Sequence, residues 1–213
     1  FEGVPLVPAY HPAYVLRSPR VKPQLIASLA HAARVARGEE YEAPQLTQGA
    51  DGPVVAVDVE CSPDGALLCL AEASSPDAGS WIPIEHSSAS SPFDVHRWDN
   101  YSLIGQNFTF DLGVIERHTG ADLSHLWTDD TMLMSHLLDE NLPKGLKFQS
   151  NLCLGVPNYA ENVKEFSPTY DTERLRRYNV QDACATYGLW ETYYQRLEDE
   201  GLRLIYDEIV MPT

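Results

Sequence analysis

The segment Val54-Val55-Ala56-Val57-Asp58-Val59-Glu60 constrains this chain more than any other stretch. From Val54 to Val59 it is β-branched and almost continuously apolar, and Asp51-Gly52-Pro53 precedes it as a turn. That pattern is expected of a central strand buried on both faces. Residues two apart on a strand share a face, so Asp58 and Glu60 should project together from its C-terminal end. Ligand sites of α/β sheets commonly lie at such ends. Two adjacent carboxylates repel unless a cation sits between them, so the pair points to metal. The competing account is an ordinary strand-to-turn exit that happens to carry acids.

The surrounding pattern supplies layers for that strand. Residues 66–72 and 80–84 read as two more strands, making a meander with 54–59, and residues 87–92 as a Ser-rich loop. Residues 102–106 read as a fourth strand that runs into a helix over 108–118. Further helices are expected from Asp130 or Thr131 to Leu138, with Asp130 as cap, around Lys147–Leu154, and in two closing stretches, 171–181 and 182–201. Upstream, residues 22–37 carry an apolar stripe (Leu25, Ile26, Leu29, Ala32, Ala33, Ala36) that fits a helix, while residues 1–20 read as strand and loop. Residues 38–53 are polar and punctuated by Gly and Pro, which suits a linker. Strands first and helices after them argue for an α/β fold, helices flanking a mixed central sheet.

Composition narrows the function. No run of about 18 apolar residues is present, so no membrane partner is expected. Cys61, Cys69, Cys153 and Cys184 have no metal-binding spacing and read as free thiols in a reducing compartment. The formal net charge is −16. A protein that binds nucleic acid through phosphates alone should be basic. Either this chain avoids nucleic acid, or its acids recruit cations and other parts of a larger protein hold the strand.

Two further motifs favour the second reading. Gly105-Gln106-Asn107-Phe108-Thr109-Phe110-Asp111 lies at the next strand-to-helix junction and puts Asp111 in a helix's first turn, where a helix-dipole acid is the plain alternative. Asn107 is a plausible cap of that helix. In Tyr178-Asn179-Val180-Gln181-Asp182, Tyr178 and Asp182 are four residues apart and share one helical face.

Acid-x-acid, Asn-x-x-Phe-Asp and Tyr-x-x-x-Asp in this order resemble the proofreading-type DEDD exonucleases, in the subclass with Tyr in the third motif. The resemblance runs from about Val54 to Trp190 and implies an RNase H-like fold. GQNFTFDLGVI followed by DDTMLMSHLLDENLPKGLK is similar to the exonuclease domain of family A DNA polymerases, and LIYDEIVMPT to the junction with their polymerase domain. VPAYHPAYVLR, containing His11-Pro12, is similar to the C-terminal end of family 4-type uracil-DNA glycosylases. The division implied is a glycosylase-like segment over 1–37, a linker over 38–53, an exonuclease domain over 54–201 and a polymerase junction over 202–213. The chain is then a fragment, with the polymerase domain absent from it.

The resemblance also implies a chemistry. Two divalent cations, Mg²⁺ or Mn²⁺, suit a set of oxygen ligands. Asp58 is expected to be their shared ligand. Glu60 and Asp182 should complete the site on the nucleophile's side, and Asp111 should hold the second ion, through water or directly. Tyr178, with an ordinary pKa near 10, is expected to aim the attacking water rather than deprotonate it. Asn107 and Phe110 are candidate contacts for the terminal nucleotide, with core packing the alternative for Phe110. Lys144 and Lys147 are candidate phosphate contacts, with plain surface positions the alternative. The expected substrate is the 3′ end of single-stranded DNA, the product a 5′-mononucleotide, and the setting a monomer in the cytoplasm of a bacterium or a phage-infected one. Three rivals stay open: an exoribonuclease of the same superfamily, a non-catalytic single-strand-binding module, and a uracil-recognising module resting on His11.

Overall fold

A computed structural model describes residues 6–157 and 159–211 of the chain. A short helix α1 (Pro12–Arg17) and a longer helix α2 (Lys22–Ala36) come first. Strand β1 (Gln45–Thr47) follows, then the meander β2 (Val54–Cys61), β3 (Leu67–Ala73) and β4 (Ala78–Pro83). Strand β5 (Ser102–Gly105) leads into α3 (Phe108–Thr119), and β6 (Trp127–Asp130) into α4 (Thr131–Leu138). Helices α5 (Leu146–Leu154), α6 (Thr172–Asp199) and the short α7 (Arg203–Ile205) complete the order, with one π turn over Tyr206–Val210.

Among the described residues the strands form one six-stranded mixed sheet, ordered β1-β4-β3-β2-β5-β6. β2 pairs antiparallel with β3 and parallel with β5, which places it at the centre. Its odd-numbered valines, Val55, Val57 and Val59, pack with Leu103, Phe108, Leu112 and Ile115 in one core cluster. Its even positions face the other way, where Ala56 packs with Ala71, Ala73, Val180, Ala183 and Cys184. Small residues on both partners let α6 lie close to the sheet. At Gly79 a Cβ would sit 3.0 Å from the Cys184 sulfur. Alternation therefore dictates that Asp58 and Glu60 emerge on the α6 side of β2. The register shifts between Glu60 and Cys61, which ends the regular pairing where the acids project.

Four features differ from the sequence reading. Of the stretch read as strand and loop, residues 12–17 form α1, because His11 accepts a hydrogen bond from the Ala13 amide through Nδ1 (3.1 Å) and Pro12 starts the helix; residues 1–5 lie outside the described residues. The stretch read as a linker contributes β1, which pairs parallel with β4. β6 was not foreseen; it is four residues long and half acidic. The two closing helices are one, α6, 28 residues long. No Gly or Pro interrupts it between Asp171, whose side chain caps it, and Asp199, except Gly188, which packs against Leu154. No helix among the described residues is long and apolar enough to cross a membrane.

Candidate active site

Three elements converge at the C-terminal end of β2. Asp58 and Glu60 come from the strand and Asp182 from α6, and one carboxylate oxygen of each lies within 4.8 Å of the other two. Glu60 is 8% exposed and Asp182 5%. Asp111, in the first turn of α3 and 6% exposed, sits one step outside this trio. Its Oδ1 accepts a hydrogen bond from the Val59 amide (3.0 Å), between the two strand acids.

The electrostatics of the group are those of charge packed against charge. Burial pushes the Asp58 carboxyl well above the usual range, and the charges of Asp182, Glu60 and Asp111 add to the shift, with Lys147 opposing it. Glu60 is raised well above its ordinary value by burial and then by Asp182. Asp111 is pushed up to about 7, chiefly by burial. Asp182 is also raised by burial, with Lys147 and a hydrogen bond from Tyr159 pulling the other way. An all-oxygen, buried, mutually repelling set fits hard divalent cations.

Neighbouring residues hold these carboxylates. Asn179, fully buried on α6, donates from Nδ2 to Asp58 Oδ2 (2.8 Å) and to the Asp58 carbonyl (3.0 Å). The Lys147 ammonium pairs with Asp182 Oδ1, and the Tyr159 hydroxyl donates to the same oxygen. Tyr178 is half-buried, one helical turn before Asp182; its ring lies edge-on to Tyr159 (5.9 Å) and Phe166 (5.9 Å). Burial first, then the charges of Asp182, Glu60 and Asp58, raise the Tyr178 phenol above its ordinary value, so it stays protonated at neutral pH.

The β5–α3 junction corrects the role expected of Asn107. It is the one non-glycine residue with positive φ among the described residues (φ 58°), and its side chain does not cap α3. Asn is among the residues that tolerate this conformation. Asp130 does the capping instead, accepting from the Asn107 amide (3.1 Å) and the Phe108 amide (2.8 Å) as well as from Met132 (2.8 Å) on its own helix. The Asn107 side chain is left exposed, and Phe110 beside it is 56% exposed, whereas Phe108 is fully buried. Gly105 permits this, since a Cβ there would lie 2.2 Å from the Phe108 ring.

Lys144 is not brought to the carboxylates. Its ammonium donates to the carbonyls of Ser135 (3.2 Å) and Asp139 at the end of α4. Asn179 and Tyr159 were not among the residues singled out from the sequence. Asn179 lies three residues before Asp182, a spacing that puts both on one helical face; Tyr159 lies in a loop, where no periodicity marks it.

The sheet and its helices are similar to those of several nucleases of solved structure. NrnC of Brucella melitensis with bound Mg²⁺ matches with a TM-score of 0.55 at 16% identity, over 76% of this chain and 85% of that one. The same protein bound to pGG matches with a TM-score of 0.58 at 18% identity, over 74% and 80%. The catalytic core of RRP6 from Trypanosoma brucei matches with a TM-score of 0.53 at 13% identity, over 83% of this chain and 46% of that one. These likenesses show the RNase H-like exonuclease fold. In sequence, DNA polymerase I of Borreliella burgdorferi is 26% identical over 117 residues, which make up 53% of this chain and 13% of that relative's length. The 3′-5′ exonuclease family, whose members normally use divalent metals, matches from residue 38 to residue 198, and the chain belongs to that family.

Proposed function

We propose that this domain hydrolyses the 3′-terminal phosphodiester of single-stranded DNA and releases 5′-mononucleotides, as the proofreading or end-trimming part of a DNA polymerase I-like protein. The observation that carries the reading is the convergence of Asp58, Glu60 and Asp182 within 4.8 Å, with Asp111 hydrogen-bonded to the strand between the first two. The likeness to a bacterial DNA polymerase I supports DNA as the substrate and a bacterial cytoplasm as the setting.

Asp58, Glu60, Asp111 and Asp182 would hold two divalent cations, Mg²⁺ or Mn²⁺. When bound, these supply the Lewis acidity that lowers the pKa of an attacking water and offsets charge on the leaving 3′ oxygen. The chain's own residues do the positioning. Asn179 fixes the Asp58 carboxylate. Tyr178, held as a neutral phenol, orients the water through a hydrogen bond together with Glu60. Phe110 offers an exposed face for a terminal base, and such stacking contributes roughly 1–3 kcal/mol per base. Asn107, three residues before Phe110, has an exposed side chain that makes no cap hydrogen bond to α3.

The test is degradation of a 5′-labelled single-stranded DNA oligonucleotide with Mg²⁺ or Mn²⁺ and with EDTA, comparing the chain with Asp58→Ala. The expected result is a ladder shortening from the 3′ end, abolished by EDTA and by the substitution. Absence of cleavage with either metal, alongside tight single-strand binding, would put a non-catalytic module in its place. A second reading is an exoribonuclease of the same superfamily. Matched DNA and RNA oligonucleotides decide between the two, since the four acids serve either backbone.

A further inference from the structure

The cluster already contains a cation of its own. Lys147 is the second residue of α5, and its ammonium is paired with Asp182 Oδ1. Among the described residues this is the one ion pair made by any of the four acids. The same ammonium lies 4.0 Å from the centre of the Tyr159 ring and 4.2 Å from that of Tyr178. The two rings therefore form a cation–π clamp beside the carboxylates. Nor is α5 free to drift. Arg34 on α2 donates to the carbonyls of Leu152 (3.2 Å) and Asn151 at its C-terminal end, and Tyr193 on α6 donates to Gln149 in its middle.

The consequence is a competition. Asp182 Oδ1 accepts from both Lys147 and Tyr159, so it is fully engaged from the protein's side. A divalent cation that takes this oxygen has to displace the ammonium, which can then rest over the two rings while still tethered to α5. We propose that Lys147 is a resident counter-ion that keeps the metal-free cluster folded and lowers its affinity for divalent cations, a positioning residue that acts through Asp182. The inference rests on the two-cation reading above. It also gives the N-terminal helix α2 a part in the site, since Arg34 holds the far end of the helix that carries Lys147.

The experiment is calorimetric titration of Mn²⁺ into the chain without nucleic acid, in parallel with melting in EDTA. Lys147→Gln should bind Mn²⁺ more tightly, by at least about tenfold for loss of one positive charge beside a buried divalent site, and should melt lower than the unsubstituted chain in EDTA. Lys147→Arg, which keeps the charge, should stay close to the unsubstituted chain in both measurements. A merely structural lysine would not raise metal affinity when removed. Unchanged or weaker Mn²⁺ binding by Lys147→Gln overturns the proposal and leaves the two-cation reading standing; no Mn²⁺ uptake by the unsubstituted chain overturns both. If Lys147→Gln does not fold in EDTA, Tyr159→Phe takes its place. It removes the other donor to Asp182 Oδ1, should also tighten Mn²⁺ binding, and counts against the proposal if it does not.

Discussion

Asn179 on α6 grips Asp58 on β2 twice, through the carboxylate (2.8 Å) and through the backbone carbonyl (3.0 Å), across 121 positions of sequence. The contact ties the helix that brings Asp182 to the strand that brings Asp58 and Glu60. Asn179→Ala should remove both hydrogen bonds and leave Asp58 Oδ2 without its buried donor. The expected loss is about 1–3 kcal/mol of stability in urea unfolding. Exonuclease turnover should fall at least about tenfold, since a misplaced ligand costs catalysis more than substrate binding. Wild-type turnover in a folded Asn179→Ala variant would show that α6 positions Asp182 without this tie.

Removing one member of a repelling group should stabilise the metal-free protein while it destroys function. Asp58→Asn keeps the shape and the acceptor for Asn179 but deletes a charge that burial and three neighbouring acids oppose. Its melting temperature in EDTA should rise, and the increase produced by Mn²⁺ in the unsubstituted chain should vanish. Thermal melts with EDTA and with saturating Mn²⁺ read both effects; a lower melting temperature in EDTA would contradict the repulsion argument.

The pH dependence has a defined sign. The carboxyls of Asp58, Glu60, Asp111 and Asp182 are all raised in the folded chain, Asp111 to about 7. The folded protein therefore binds more protons than the unfolded one between the ordinary carboxylate range, about 4, and about 7. Metal-free stability should be highest at the acidic end of that window and decline as pH rises through it. Divalent cations compete with those protons, so Mn²⁺ should stabilise most at the neutral end. Melting temperatures in EDTA that climb across this window would be the opposite result.

Phe108 and Phe110 should separate cleanly. Phe108 is fully buried against Trp127 and the β2 valines, so Phe108→Ala should cost about 3–5 kcal/mol of stability. Phe110 is 56% exposed, so Phe110→Ala should leave stability within about 0.5 kcal/mol. Its effect should fall on KM for single-stranded DNA, by roughly 5- to 100-fold if one base stacks on it. Unchanged KM would remove Phe110 from the substrate path.

Glu72 is a buried acid of a different kind, satisfied on every side. It is 1% exposed and accepts from Trp98 Nε1 (2.6 Å), Arg97 Nη2 (3.0 Å) and Ser80 (3.3 Å), with Arg97 Nε 2.9 Å away as its ion pair. Glu72→Ala would strand the fully buried Trp98 indole, while the exposed Arg97 turns to water, and should cost about 1–3 kcal/mol in urea unfolding without altering Mn²⁺ affinity. A change in metal affinity would mean that the sheet transmits this loss to β2.

Much of this molecule is local and therefore legible in the chain. The β-branched run at Val54 forces a buried strand, period-two alternation puts Asp58 and Glu60 on one face, and a four-residue spacing aligns Tyr178 with Asp182. Capping by Asp130 of its own helix α4 follows from a side chain two residues from the amide it serves. What local pattern could not supply is partners distant in sequence. β1 and β6 are three and four residues long, too short to carry a period, and exist because neighbouring strands accept them. Asp130 also caps α3 from 22 positions away, Lys144 is drawn to α4 while Lys147 is drawn to the acids, and Asn179 finds Asp58 across the sheet. The sequence by itself determined which groups carry charge and which face they share, because alternation and helical repeat are properties of the backbone. Tertiary structure alone decided which of those charges meet and which cation stands among them, because that depends on how closely α6 can approach β2, a distance set by the small residues lining that contact, and on where α5 packs against α6 and α2.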